Sequence, residues 1–193
     1  MRIKRIQLKD FRAFNGAHEI NFAYEDDSVN LIVAENEVGK TTLLNAIIWC
    51  LYDRFTQNTE NPNTYINKYS KKNNVTQCKV EVDLVDESQY EEYHPNILRI
   101  TRFHHEGKSN NTLAVATING VTGESRKLDN PKDLINEFCP DAISQYFFFD
   151  GEGVQLLTSN DTLLKHAIRS IQGLDAAEGA LKDLEKYSLK QLA

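Results

Sequence analysis

Val33-Ala34-Glu35-Asn36-Glu37-Val38-Gly39-Lys40-Thr41-Thr42 is the stretch on which the reading of the whole chain turns. It follows a short, nearly continuous apolar run (Val29, Leu31, Ile32, Val33), the pattern of a strand buried on both faces. It opens the segment from Lys40 to Leu51, where Leu43, Leu44, Ile47, Ile48 and Leu51 recur at spacings of three and four. That spacing predicts a helix with a buried stripe. Buried strand, Ala-x-x-x-x-Gly-Lys-Thr and amphipathic helix, in that order, are the setting of a Walker A loop. Backbone N–H groups from Glu37 to Thr42 would form a concave nest for phosphate oxygens, and the start of the helix would add its partial positive end. Lys40 would reach the β- and γ-phosphates and Thr41 would ligate Mg²⁺. Gly39 would let the backbone approach with no Cβ in the way. Where the usual first glycine stands, this chain has Ala34, which is tolerable as long as that position needs no positive φ. The competing explanation is a chance match of the string, which both flanking elements oppose.

Working outward, residues 2–8 and 18–24 alternate polar and apolar as half-buried strands do, with Asn15-Gly16 as a turn between them. Asn61 to Asn74, polar and rich in Asn, Lys and Tyr, reads as a surface loop. Val80, Val82 and Leu84, then Ile97 to Phe103, then Leu113 to Ile118 give three further strands of an antiparallel meander. Asn119-Gly120 signals a hairpin, and Asn130-Pro131 opens a helix reaching Phe138. Ala142 to Phe149 is apolar and aromatic and reads as another buried strand, its aromatics in the core and not free for base stacking. A helix is expected over 161–171, stopped by Gly173, and a second begins at Asp175-Ala176-Ala177-Glu178 with a capping-box pattern.

At 193 residues, 40% hydrophobic and 26% charged, the chain can bury a core, and one domain with an extension is the expectation. A net charge of −6 excludes an overall basic coat but not a local basic patch. Lys68 to Asn74, with Lys71 and Lys72, is such a patch, read first as a solvated loop. Cys50, Cys78 and Cys139 lack metal-ligand spacing and read as buried thiols of a reducing cytoplasm. His94, His104 and His105 read as surface histidines. No apolar run approaches membrane-spanning length and the N-terminus reads as a strand, so the expectation is a cytoplasmic protein with no membrane partner.

A guanine-reading Asn-Lys-x-Asp is missing, since Asn67-Lys68-Tyr69-Ser70 lacks the aspartate. The opening Met1-Arg2-Ile3-Lys4-Arg5-Ile6-Gln7-Leu8-Lys9-Asp10-Phe11-Arg12-Ala13-Phe14, then Ile20-Asn21-Phe22, then the loop, resembles the N-terminal lobe of SMC-like ATPases, a group that includes the SbcC type, RecF and DndD. Phe147-Phe148-Phe149-Asp150-Gly151-Glu152 resembles the Q-loop segment of these proteins, with Asp150 in place of glutamine, and its form is similar to DndD of DNA phosphorothioation systems.

The resemblance implies an α/β P-loop NTPase fold: an ABC-type ATPase head N-terminal lobe over residues 1–173, with a mixed sheet and an antiparallel β subdomain, and the start of a coiled-coil helix over 174–193. It implies ATP with Mg²⁺, the metal held by Thr41 and Asp150. Lys40 and Asp150 take the catalytic roles. Arg12, Asn36, Glu37, Val38, Gly39, Lys40, Thr41 and Thr42 form the nucleotide site, with Arg12 near the phosphates and Asn36 near the γ-phosphate. Glu152 is read as a capping acid. In such proteins the Walker B acids and the signature motif lie in a C-terminal half, so this chain is expected to be one half of a head and inactive alone. Its expected partners are that half, a second head across sandwiched ATP, DNA, and other subunits of a modification, repair or antiphage complex. Two alternatives stay open: a non-catalytic nucleotide sensor whose dimerisation gates a partner nuclease, and a small P-loop kinase.

Overall fold

A computed structural model describes residues 2–25, 28–35, 38–56, 64–85, 96–144 and 147–148. The chain divides into two compact units, Met1–Phe138 and Cys139–Ala193. In the first unit, β1 (Arg2–Lys9), β2 (Ala17–Asn21), β3 (Gln77–Val85), β4 (Ile97–His105), β5 (Thr112–Ile118) and β6 (Ser125–Lys127) form one sheet in the order β2-β1-β3-β4-β5-β6, with every pairing antiparallel.

Register puts like with like on each face. Ile6 lies opposite Val82, Val82 opposite Ile100 and Ile100 opposite Val115, so these four line one face, and all are buried. Because side chains alternate along a strand, Arg5, Glu81, Asp83 and Arg99 fall on the other. There Asp83 accepts from Arg5 Nε at 2.9 Å and from Arg99 Nε and Nη2 at 2.8 Å each. Arg5 also pairs with Glu81 and, at 3.0 Å, with Glu19. Burial works to raise the Asp83 pKa, but the two guanidiniums outweigh it and hold the carboxyl below its usual range.

Helix α1 (Lys40–Tyr52) packs on β3 and β4. Cys50 Sγ lies 3.5 Å from Val80 O and 3.4 Å from Ile100 O, and burial pushes the thiol up to about 12. Arg102, fully enclosed, donates to Cys50 O at 3.0 Å and Leu51 O at 3.2 Å, and pairs with Asp53 at 3.2 Å. A cation on the last carbonyls of a helix satisfies groups that have no intrahelical partner and complements the dipole. The sequence predicts one buried stripe on this helix, yet Asn45, Ala46, Trp49 and Cys50 are buried as well. The second cover is aromatic: Phe11 stacks on Trp49 at 5.0 Å, with Tyr65 at 5.5 Å on the same indole.

Three readings of the sequence are corrected. The run Val29–Val33 forms no strand, and Val29, Leu31 and Val33 are 91%, 84% and 82% exposed. A strand buried on both faces needs partners at both edges and cover above and below, and the described residues supply neither. The sheet described is accordingly antiparallel throughout and not mixed. The stretch 61–74 is not a surface loop where it is described. Ile66 bridges to Phe11, and Asn67 caps the short helix α2 (Lys68–Lys72) by accepting from Tyr69 N and Ser70 N. Nor do the described residues of 142–149 form a buried strand. In the second unit Asp141–Ser144 is a helical turn, α4, Ser144 Oγ donates to Asp141 O at 2.7 Å, and Phe147 is exposed. Local hydrogen bonding there overrides an apolar count that never alternated. Helix α3 (Pro131–Phe138) forms as the sequence predicts. The segments 161–171 and 174–193, and with them the expected boundary at 173/174, lie outside the described residues.

Candidate nucleotide-binding site

Gly39 is the N-cap of α1, at φ 113 and ψ 15. Its N-cap position carries no side-chain hydrogen bond, and no acidic residue stands in the first turn. The first amides of a helix have no intrahelical partner, so this terminus presents N–H groups and a partial positive charge to an incoming anion. Lys40 folds back over the loop, its Nζ donating to Ala34 O at 2.6 Å and Glu35 O at 2.7 Å. A lysine held this way ties both ends of the loop together and keeps its charge at the mouth. Thr41 and Val38 are exposed and Thr42 is half-buried. Ala34 is not among the residues of positive φ, so the substitution for glycine carries no backbone strain there. Asn36, Glu37, Asp150 and Glu152 lie outside the described residues.

The loop rests on the turn after β1. A Cβ built on Gly39 would lie 3.5 Å from Ala13 Cβ and 3.6 Å from Phe14 Cζ. That turn carries two left-handed non-glycine residues, Asp10 (φ 53) and Arg12 (φ 47). The Arg12 guanidinium lies 5.0 Å over the Phe55 ring and donates to Thr64 O at 2.9 Å. Burial holds its pKa below the usual arginine value, partly offset by Tyr65. So segment 64–67 anchors Arg12 within the turn whose next two residues, Ala13 and Phe14, lie against Gly39.

Residues that the sequence reading missed complete this support. Asp10, Asn67 and Ser70 are all buried and joined by hydrogen bonds. The signal for Asn67 was there to use: an N-cap residue type directly before Lys68-Tyr69-Ser70. His104 is likewise no surface histidine. It stacks on Tyr65 at 4.2 Å, and its Nδ1 lies 2.9 Å from Asn111 Oδ1.

Among the described residues no group of three or more His, Cys, Asp or Glu is placed to hold a metal. A Mg²⁺ ion carried by a triphosphate does not need one, since it keeps waters and phosphate oxygens and takes one or two protein ligands. The exposed Thr41 hydroxyl beside an uncapped helix terminus fits that requirement. No helix among the described residues is long and apolar enough to cross a membrane.

The family model described as AAA domain matches residues 5–193. None of the curated proteins matches the sequence. A solved chain from work on the structural biochemistry of ATP-driven dimerization and DNA-stimulated activation of SMC ATPases is similar in fold, with a TM-score of 0.53 at 14% identity, over 89% of this chain and 99% of that one. By the match over residues 5–193 this chain belongs to the AAA domain family of P-loop NTPases, and its fold is similar to that of a solved SMC ATPase.

Proposed function

We propose that this chain is the ATP-binding lobe of an SMC-like, DNA-associated ATPase whose heads pair around nucleotide. One observation carries the reading: the uncapped N-terminus of α1 joined to a loop that Lys40 closes through Ala34 O and Glu35 O. On ATP binding, Lys40 exchanges those carbonyls for β- and γ-phosphate oxygens, and the amides from Val38 to Thr42 take the remaining phosphate charge. Thr41 would hold Mg²⁺, which would neutralise charge on the phosphates, and Arg12 and Asn36 would approach from the flanking turn and loop. The exposed apolar run Val29–Val33 favours a partner strand, and the C-terminal half of the same head is the partner we assign to it.

The cellular role we favour is DNA modification or antiphage defence in the cytoplasm, on the likeness of Phe147-Phe148-Phe149-Asp150-Gly151-Glu152 to the DndD form. Steady-state ATP hydrolysis tests the reading. Turnover is expected when the chain is combined with its C-terminal half and DNA, and the chain alone should bind ATP without turning it over. Robust turnover by the isolated chain would overturn it.

A further inference from the structure

A buried polar knot stands beneath the phosphate loop. Ser70 Oγ lies 2.5 Å from Asp10 Oδ1 and 2.6 Å from the side-chain amide of Asn15. A hydroxyl has one proton, so it donates to the carboxylate and accepts from the Asn15 amide, oriented with its NH₂ toward Ser70. Asp10 Oδ1 also accepts from Gly16 N at 2.9 Å, while Asp10 N donates to Gly16 O at 2.9 Å and Asp10 O accepts from Asn67 N at 2.8 Å. Asn67 then does two jobs with one amide. Its Oδ1 caps α2 by accepting from Tyr69 N at 2.9 Å and Ser70 N at 3.2 Å, and its Nδ2 donates to Arg12 O at 2.6 Å. Arg12 N in turn donates to Tyr65 O at 2.8 Å.

A core assembled for packing alone would not bury three polar side chains around one turn. What the knot fixes is a conformation the chain would otherwise avoid, with Asp10 and Arg12 both left-handed. The product of that conformation is the seating of Ala13 and Phe14, the two residues after Arg12, against Gly39.

We propose that Asn67, with Asp10 and Ser70, is a positioning residue for triphosphate binding: through Arg12 O it locks the turn that braces the phosphate loop. This rests on the ATP-binding reading above. Asn67→Ser separates the two jobs, since a serine still caps α2 but its shorter side chain does not reach Arg12 O. In the full-length protein, Asn67→Ser is expected to keep the wild-type fold by circular dichroism and to bind ATP·Mg²⁺ roughly tenfold more weakly, the scale of one lost positioning hydrogen bond. Because the effect runs through the turn bearing Arg12, the Asn67→Ser and Arg12→Ala losses should be less than additive. Ser70→Ala, which removes the Asp10 contact and leaves the cap residue intact, should weaken binding in the same direction. A folded Asn67→Ser protein with wild-type ATP affinity, or fully additive losses with Arg12→Ala, would overturn the positioning role while leaving ATP binding standing. A wild-type protein that binds no ATP would overturn both.

Discussion

Gly39 and Phe14 meet across the base of the phosphate loop: a Cβ on Gly39 would lie 3.6 Å from Phe14 Cζ, at ordinary van der Waals distance. There is therefore room for a methyl group, and what requires glycine is the backbone, at φ 113.

Gly39→Ala is accordingly a conformational lesion and not a steric one. We expect it to cost about 1–2 kcal/mol in urea unfolding and to weaken ATP binding on the order of tenfold or more. Ala34→Gly is the matched control. Ala34 has no positive φ to relieve, so restoring the usual glycine should leave ATP affinity within about twofold and lower stability by roughly 0.5–1 kcal/mol. A large gain in affinity from Ala34→Gly would show that the position is strained after all.

Arg102 ties the far end of α1 to the sheet. Removing a buried cation takes the donor from two helix carbonyls, while Asp53, partly exposed, keeps its bond from Asn111 Nδ2, so Arg102→Ala should cost about 2–4 kcal/mol. Arg102→Lys should recover little of this, because one ammonium does not reproduce the guanidinium fork. The chain has a single tryptophan, Trp49, buried on this same helix, so its fluorescence reports the unfolding directly. A loss under 1 kcal/mol for Arg102→Ala would contradict the cap.

Asp83 makes stability depend on acid. Its folded pKa lies below the unfolded value near 3.9, so the native state holds that proton less readily than the unfolded chain. The stabilisation is complete above about pH 4 and drains away as pH falls through the lower native value. Asp83→Asn should cost about 3 kcal/mol at pH 7, with the gap to wild type closing below pH 4. A gap that persists unchanged at pH 2 would rule out the ion pairs as its cause.

The three thiols should divide by environment. Burial pushes Cys50 and Cys78 up to about 12, and both are enclosed, whereas Cys139 is half-buried. With native protein at pH 8, a disulfide reagent should label Cys139 first, with the other two following only at the rate of unfolding. Rapid labelling of Cys50 would mean that the α1 and sheet packing opens readily.

What could be read from the sequence follows from which forces act locally. The helix from Lys40, the alternation of β3 to β5 and the Asn130-Pro131 helix start are all set by near neighbours, and each stands where expected. The readings that failed depend on distant partners. Val29–Val33 has the composition of a central strand, but burial comes from neighbours that composition does not name. Segment 64–70 looks polar because its Asn and Ser residues are polar, yet Asn67 and Ser70 are buried through bonds to Asp10, Arg12 and Asn15, more than fifty residues away. Arg102 was passed over for the same reason: an arginine in an alternating strand reads as exposed until the helix end that it caps is in place.

The most direct test of the account is calorimetric titration of ATP·Mg²⁺ into the wild-type protein and into Lys40→Ala. The exposed Lys40 bonds to Ala34 O and Glu35 O carry little stability, so the variant should unfold within about 1 kcal/mol of wild type. The account predicts saturable binding to the wild type and a roughly 10- to 100-fold loss in the variant, the range of a charged hydrogen bond to phosphate. Equal affinity in the two proteins, or no binding to either, would contradict it.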